Sequence, residues 1–220
     1  MTELEAIYAR HSVRSYLPEK PAAEKLLELK ELIAACNREG NLHLQLLENA
    51  GNTFNRGLHK LTGLGTAPCA VACVGPEDDT LEERIGYYGE RVVLRAQQLG
   101  LNTCWVGMYR KDGVPAEVCP GERLVITIAL GCGAVQGKPH KSKKPERLAG
   151  FMDGRPEWYR LGAELAMLAP TAVNQQSFLI EYREDGSVVF SNLGGPFSKV
   201  DLGIVKYHFE VGKAAAGSGE

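Results

Sequence analysis

The sequence predicts an α+β protein, because two different apolar spacings coexist along the chain. Residues 24–36 place Leu26, Leu29, Ile33 and Cys36 at helical intervals, with Leu27 and Leu32 widening the stripe. Pro68 to Val74 is instead an unbroken apolar run, as expected of a strand buried on both faces. Near the other end, Phe178 to Tyr182 and Val188 to Ser191 flank Asp185-Gly186, the pattern of a hairpin.

Taken in order, the first element is a short helix from Leu4 to Ala9. Pro21 precedes the helix over 24–36, and Asn37 with Gly40 supplies its end. Leu42 to Leu47 alternates Leu42, Leu44 and Leu46 with His43 and Gln45, which predicts a strand. Thr80 with Glu83 at N3 predicts a capping box opening a helix to about Gln98, with Gly100 as its stop. Asn102 to Val106 and Leu124 to Leu130 read as two further strands. Gly131 to Glu146, rich in Gly, Pro and Lys, predicts an extended loop or arm. A helix over 156–168 then places Trp158, Leu161, Leu165 and Leu168 on one face. Asp201 is the expected cap of a last helix running to about Ala216, and the Gly-Ser-Gly-Glu end reads as a frayed tail.

The pattern restarts near residue 148. Helix 24–36 with strand 42–48 has the same order as helix 156–168 with strand 178–183. Gly86 and Gly89 of one helix have possible counterparts in Gly203 and Gly212 of the last. An internal repeat and the ordinary alternation of an α+β chain both account for this. The corresponding division is 1–147 for a first half and 148–220 for a shorter second, forming one compact unit.

At 220 residues with 44% hydrophobic and 24% charged content, the chain has material for a substantial core and is not a disordered polymer. A formal net charge of −2 gives no reason to expect a nucleic-acid partner. There is no apolar run near the membrane-spanning length and no apolar signal region, so no membrane association is expected. The six cysteines are scattered without a CxxC, and read as reduced thiols of a cytoplasmic protein. His11, His43, His59, His140 and His208 lack a ligand spacing, and Cys69/Cys73 lack supporting ligands, so no metal is expected. Ser12 has no nucleophile-elbow context, and Gly131-Cys132-Gly133 lacks the dinucleotide fingerprint.

Two runs carry the chemistry. Arg10-His11-Ser12-Val13-Arg14 gathers two guanidiniums and a hydroxyl, donors suited to a phosphate or to the electron-rich edge of a heterocycle. Ala169-Pro170-Thr171-Ala172-Val173-Asn174-Gln175-Gln176 offers hydroxyl and amide groups that can hydrogen-bond a uracil-like edge. Each also has a plain reading. The arginines suit surface ion pairs, and the second run suits an ordinary helix end with a turn. The basic cluster from Lys138 to Arg147 suits either a solvated loop or an anion-binding one.

Together the two runs resemble the signatures of the flavin-dependent nitroreductase family, an Arg-x-Ser-x-Arg/Lys run and an Ala-Pro-Ser-x-x-Asn-x-Gln run. Gly86 to Ala96 through Leu99 to Gly107 is similar to that family's central helix and following strand. Ile128 to Gly131, Gly137-Lys138-Pro139 and Pro145-Glu146-Arg147 resemble its strand, turn and basic arm. The resemblance implies a mostly antiparallel sheet flanked by helices. It implies bound FMN, NADH or NADPH as co-substrate, and a ping-pong passage of electrons to a small nitroaromatic or quinone-like acceptor. No protein acid or base is then needed, since the flavin carries the chemistry.

The resemblance also assigns residues. Arg10 and Ser12 would face the phosphate and ribityl chain, with His11 between them. Arg14 would face the pyrimidine end of the ring, where a fixed cation stabilises the charge gained on reduction. Pro170, Thr171, Ala172, Asn174 and Gln176 would line the flavin from the second run. Trp105, Val106 and Gly107 would set backbone groups near it, and Lys144 and Arg147 would close over the phosphate. Trp105 is equally explained as a core residue at a strand end.

One departure matters. The second run lies near the far end of the chain rather than soon after the first, and Arg38-Glu39-Gly40-Asn41 stands where the family has its Ala-Pro-Ser run. In the family, FMN sits at a homodimer interface with one run from each subunit. The expectation is therefore a fused pseudo-dimer holding one FMN per chain, as a monomer or with further association into a homodimer. The alternatives are a flavin-binding protein for storage or sensing without turnover, and an interaction protein that has lost flavin.

Overall fold

The computed structural model describes residues 1–50, 53–54, 64–107, 113–150 and 152–217. His59 and the last three residues of the expected tail lie outside them. The fold is α+β, as the two apolar spacings predict. Strands β1 (His43–Leu47), β2 (Cys69–Pro76), β3 (Asn102–Val106) and β4 (Glu122–Gly131) form an antiparallel sheet in the order β1-β2-β4-β3. The apolar run 68–74 falls in β2, which is buried at every residue but its last, and β4 is nearly as buried. A register shift between Cys73 and Val74 breaks the β2–β4 ladder once.

Helices cover this sheet. They are α1 (Glu3–Ala9), α2 (Ala23–Gly40), α3 (Leu81–Gln98), the short α4 (Pro145–Leu148), α5 (Glu157–Ala166) and α6 (Ser198–Gly217). The core joins Leu26, Leu29 and Ile33 of α2 and Ile85, Val92 and Val93 of α3 to the sheet, and continues through Val200, Val205 and Phe209 of α6. The hairpin around Asp185-Gly186 forms as β5 (Phe178–Tyr182) and β6 (Val188–Asn192), a separate two-stranded sheet. Among the described residues no helix is long and apolar enough to cross a membrane.

Several local expectations are corrected. Thr80 makes no side-chain cap; its hydroxyl donates to Asp78 Oδ1 at 2.7 Å instead, because Asp78 also takes the Thr80 N–H at 2.7 Å. The capping box sits on α1, between Thr2 and Glu5. The helix over 24–36 continues to Gly40, since Asn37 is held inside it by reciprocal bonds to the Leu44 backbone at 2.7 and 3.0 Å. Asn41, at φ 47°, then ends it in the left-handed conformation. On α5 the buried face is Tyr159, Gly162, Ala163, Leu165 and Ala166, rotated from the Trp158–Leu161 face read from the larger side chains. Helix α6 crowds this face, a Cβ on Gly162 standing 2.9 Å from the Phe209 ring, so the smaller residues turn inward.

Asp201 is not a cap either: it lies inside α6, which begins at Ser198, and its carboxylate reaches across to residues 172 and 175. The glycines suggested as repeat counterparts serve a crossing. A Cβ on Gly86 would stand 2.0 Å from Val200 O, and one on Gly203 would stand 2.0 Å from Glu83 O. Only hydrogen at both positions lets α3 and α6 touch by backbone.

Candidate functional site

The Arg10–Tyr16 run leaves α1 as extended chain and lies between the edge of the large sheet and the arm. Val13 N–H donates to Thr103 O of β3 at 3.0 Å, and Leu17 N–H to Cys132 O at 2.8 Å. Ala134 N–H returns a bond to Ser15 O at 2.9 Å. Val13 and Tyr16 are buried in the core, while Ser12, Arg14 and Ser15 face the other way. A three-residue spacing on one face is not strand alternation, and the run is held as extended chain by isolated bridges at Ser12 and Tyr16. The arm is seated by Gly137, where a Cβ would stand 2.7 Å from both His11 Cβ and Ser12 O.

The second run packs against the arm from the opposite side. Gln176 is buried; its Oε1 accepts the Lys143 N–H at 2.7 Å, and its Nε2 donates to Lys141 O and Asn174 Oδ1, each at 2.8 Å. Asn174 Nδ2 donates to Lys141 O at 3.0 Å, and Lys143 Nζ donates to Gln175 O at 2.7 Å. Asp201 holds the run from beneath, accepting from Ala172 N at 3.0 Å and Gln175 Nε2 at 2.7 Å. Burial pushes the Asp201 carboxyl up to about 6, against the lowering effect of these two bonds. Val173, Asn174 and Gln176 all have positive φ, at 47°, 56° and 45°. For the β-branched Val173, 80% exposed, this is an unfavourable conformation held by its neighbours.

Between the two runs lies a cavity of about 640 Å³, inside the usual range of small-molecule sites. It is lined by Arg10, His11, Ser12, Arg14 and Ser15 on one side, by the arm from Val135 to Lys138 with His140, and by Pro170, Thr171, Val173 and Asn174 on the other. No acidic side chain is among these. The Arg10 guanidinium is 4% exposed, and its Nε is buried with no hydrogen-bond partner. Burial lowers the His11 pKa from its ordinary value, with the Arg10 and His140 charges acting the same way, so the neutral imidazole is favoured.

Of the residues expected at a site, Arg10, His11, Ser12, Arg14, Pro170, Thr171 and Asn174 therefore share one cavity, although the two runs are far apart in sequence. Ala172 and Gln176 do not line it; they fasten the second wall. Trp105, Val106 and Gly107 do not line it either. The Trp105 indole lies over Gly89 and donates to Glu90 Oε2 at 2.8 Å, Val106 is buried in the sheet, and Gly107 lies against the Phe197 ring. Strand β3 turns Trp105 toward α3, the plain alternative for it, and Val106 into the core on the opposite face. Lys144 and Arg147 are exposed at the start and end of α4, outside the lining. Lys138, at the other end of the same basic cluster, is the cation that faces in.

Residues that drew no role from the sequence include Ser15 and Val173, which lie within the two runs, and Val135 and Gln136 of the arm; Val135 and Val173 are exposed apolar side chains, 67% and 80% exposed. Their only sequence signal is membership of the two runs or of the Gly131–Glu146 arm. All six cysteines are unpaired. Although spacing gave no metal expectation, the fold brings ligand atoms of His43, Cys119 and Glu122 within 4.8 Å of one another, away from the cavity lining.

A family model described as "Putative TM nitroreductase" matches residues 3–213. The chain therefore belongs to this branch of the nitroreductase family. Among solved structures, a "putative nitroreductase" of Thermotoga maritima is 21% identical over 95% of this chain and 82% of its own, with a TM-score of 0.67. A "putative nitroreductase in complex with FMN" from Desulfovibrio desulfuricans is 18% identical, covering 67% of this chain and 95% of its own, with a TM-score of 0.55. A "Putative NADH Oxidase" of Clostridium acetobutylicum is 20% identical over 68% of this chain and 99% of its own, with a TM-score of 0.51. At these identities the likeness establishes the fold. No curated protein matches the chain.

Proposed function

We propose that this protein is an FMN-dependent NAD(P)H oxidoreductase that passes electrons to a nitroaromatic or quinone-like acceptor in ping-pong order. The observation that carries the reading is the cavity that joins the Arg10–Ser15 run to the 170–174 run within one chain. Its residues fit FMN. Arg10 brings a guanidinium to the lining, the fork of donors that a phosphate takes. Lys138, Ser12 and Ser15 add donors on the same side. Val135 and Val173 offer apolar surface for a planar ring, and Arg14 a cation for its pyrimidine end. FMN bound there supplies hydride transfer between nicotinamide and acceptor; the protein contributes binding, orientation and charge.

The FMN complex of the Desulfovibrio relative supports flavin, and the name of the Clostridium relative supports a nicotinamide donor. The division into a 1–147 half and a 148–220 half, read as a fused pseudo-dimer holding one flavin without a partner subunit, belongs to this reading, and its support is that one cavity takes a run from each half of a single chain.

The test is an absorbance spectrum of the purified protein before and after anaerobic NADH and NADPH, with flavin counted per chain. One flavin that bleaches supports the enzyme reading. A stable flavin band with both donors supports a storage or sensing protein. No band after FMN is added refutes flavin binding.

A further inference from the structure

Next to Arg10, on the side of its Nε, lies a fully buried pair that the proposed reaction does not use. Glu90 of α3 and His208 of α6 are both 0% exposed, and His208 Nε2 stands 3.0 Å from Glu90 Oε1. His208 Nδ1 stands 3.0 Å from Leu165 O. A carbonyl oxygen only accepts, so Nδ1 carries a hydrogen. The Nε2–Oε1 contact then holds one further proton, on the imidazole or on the carboxyl. On the imidazole it makes a cation beside an anion; on the carboxyl it makes two neutral groups. Both arrangements sum to zero charge. The Trp105 indole, donating to Glu90 Oε2 at 2.8 Å, is neutral and leaves that sum unchanged.

This matters for Arg10. Its Nε lies 4.0 Å from Glu90 Oε1, beyond hydrogen-bond reach, and Glu90 is the one carboxylate at ion-pair distance from it among the described residues. If Glu90 stood alone as an anion, it would take the guanidinium as its partner and cancel its charge. With His208 supplying the compensating proton, Arg10 keeps a full positive charge in a nearly dry setting, where an uncompensated cation is costly. The cavity it lines contains no acid to offset it.

We propose that His208 is a positioning residue for anion recognition: by neutralising Glu90 from the second half of the chain, it leaves the Arg10 charge free for a phosphate group. The ligand is a phosphorylated one. This rests on the flavin reading for its identity as FMN, and on the Glu90, His208 and Arg10 geometry for the charge logic. It makes the two halves interdependent through the buried pair as well as through the cavity walls.

The experiment measures dissociation constants for FMN and for riboflavin, which lacks the phosphate, in wild type, His208→Gln and the Glu90→Gln/His208→Gln double variant. A neutral glutamine at 208 leaves Glu90 charged. The expected result is FMN weakened at least about tenfold in His208→Gln, with riboflavin held within about twofold. Removing the stranded carboxylate in the double variant restores FMN to within about threefold of wild type, as close charge pairs couple strongly in such cycles. Equal losses for both flavins, or no restoration, would overturn the proposal by making His208 merely structural. His208→Asn replaces His208→Gln if the latter does not fold. If wild type binds neither flavin, the flavin reading fails by itself. The charge logic is then decided with inorganic phosphate and thermal midpoints. Stabilisation of wild type and the double variant but not His208→Gln supports it; no such pattern overturns it.

Discussion

The two walls of the cavity are built on opposite plans. The Arg10–Ser15 wall is extended chain lying along β3, with no positive φ, and it carries unmet donor capacity at Arg10 Nε. The 170–176 wall carries three left-handed residues, and its side-chain amides are already bonded to the arm and to Asp201. The first wall supplies charge at little conformational cost. The second supplies shape, held by buried hydrogen bonds. Recognition and shape are thus separable here, and substitution on each wall should report a different property.

The largest expected effect is Arg10→Ala. Losing a buried guanidinium that meets phosphate should weaken FMN about 1000-fold, or roughly 4 kcal/mol at ~1.4 kcal/mol per decade, by fluorescence titration. Riboflavin should change much less. If the two flavins lose equally, the first wall is not the charge-bearing one.

Next comes the pH dependence of the second wall. The folded-state pKa of Asp201 is raised from 3.8 to about 6. Between those values the native protein binds more protons than the unfolded chain, so stability falls as pH rises. The contribution is fully present below about pH 4 and gone above about pH 6, up to about 3 kcal/mol at ~1.4 per pKa unit. Denaturant titrations of wild type against Asp201→Asn should show that fall in the former only.

Asp201→Ala sharpens the comparison further. It removes the acceptor of the Ala172 N–H and one of the two acceptors of the Gln175 amide, which keeps Pro196 O, and should weaken both flavins alike, about tenfold, because it loosens shape rather than removing charge. A loss confined to FMN would contradict the division between the walls. The smallest effect is Val173→Asn. Asparagine tolerates the left-handed region, so thermal denaturation should show a gain of roughly 0.5–1 kcal/mol, a midpoint rise of about 1–4 °C. An unchanged or lower midpoint would mean that the φ of 47° stores no strain.

Much of this was legible in the sequence wherever one spacing had one outcome. The unbroken 68–74 run had nowhere to go but a buried strand, and Asp185-Gly186 between β-prone runs had to turn. The two signature runs were legible for the same reason: their residue types are unusual enough together to be noticed singly. Capping was less legible. Thr80 and Asp201 each have a cap-like side chain, but a neighbouring partner took it: Asp78 for the first, the 172–175 backbone and amide for the second.

The sequence by itself determined the element types, the family and the two cavity-lining runs, because these follow from local periodicity and from motifs that survive as strings. Only the tertiary structure decided that the runs meet across one cavity and that Lys138 rather than Lys144 or Arg147 faces it. The same holds for Trp105 turning to Glu90, and for His208 cancelling a charge beside Arg10. Those outcomes depend on which helices cross and which way an extended strand turns its side chains. Glycines at positions 86 and 203 and the extended run against β3 settle both, through long-range contacts that no local pattern encodes.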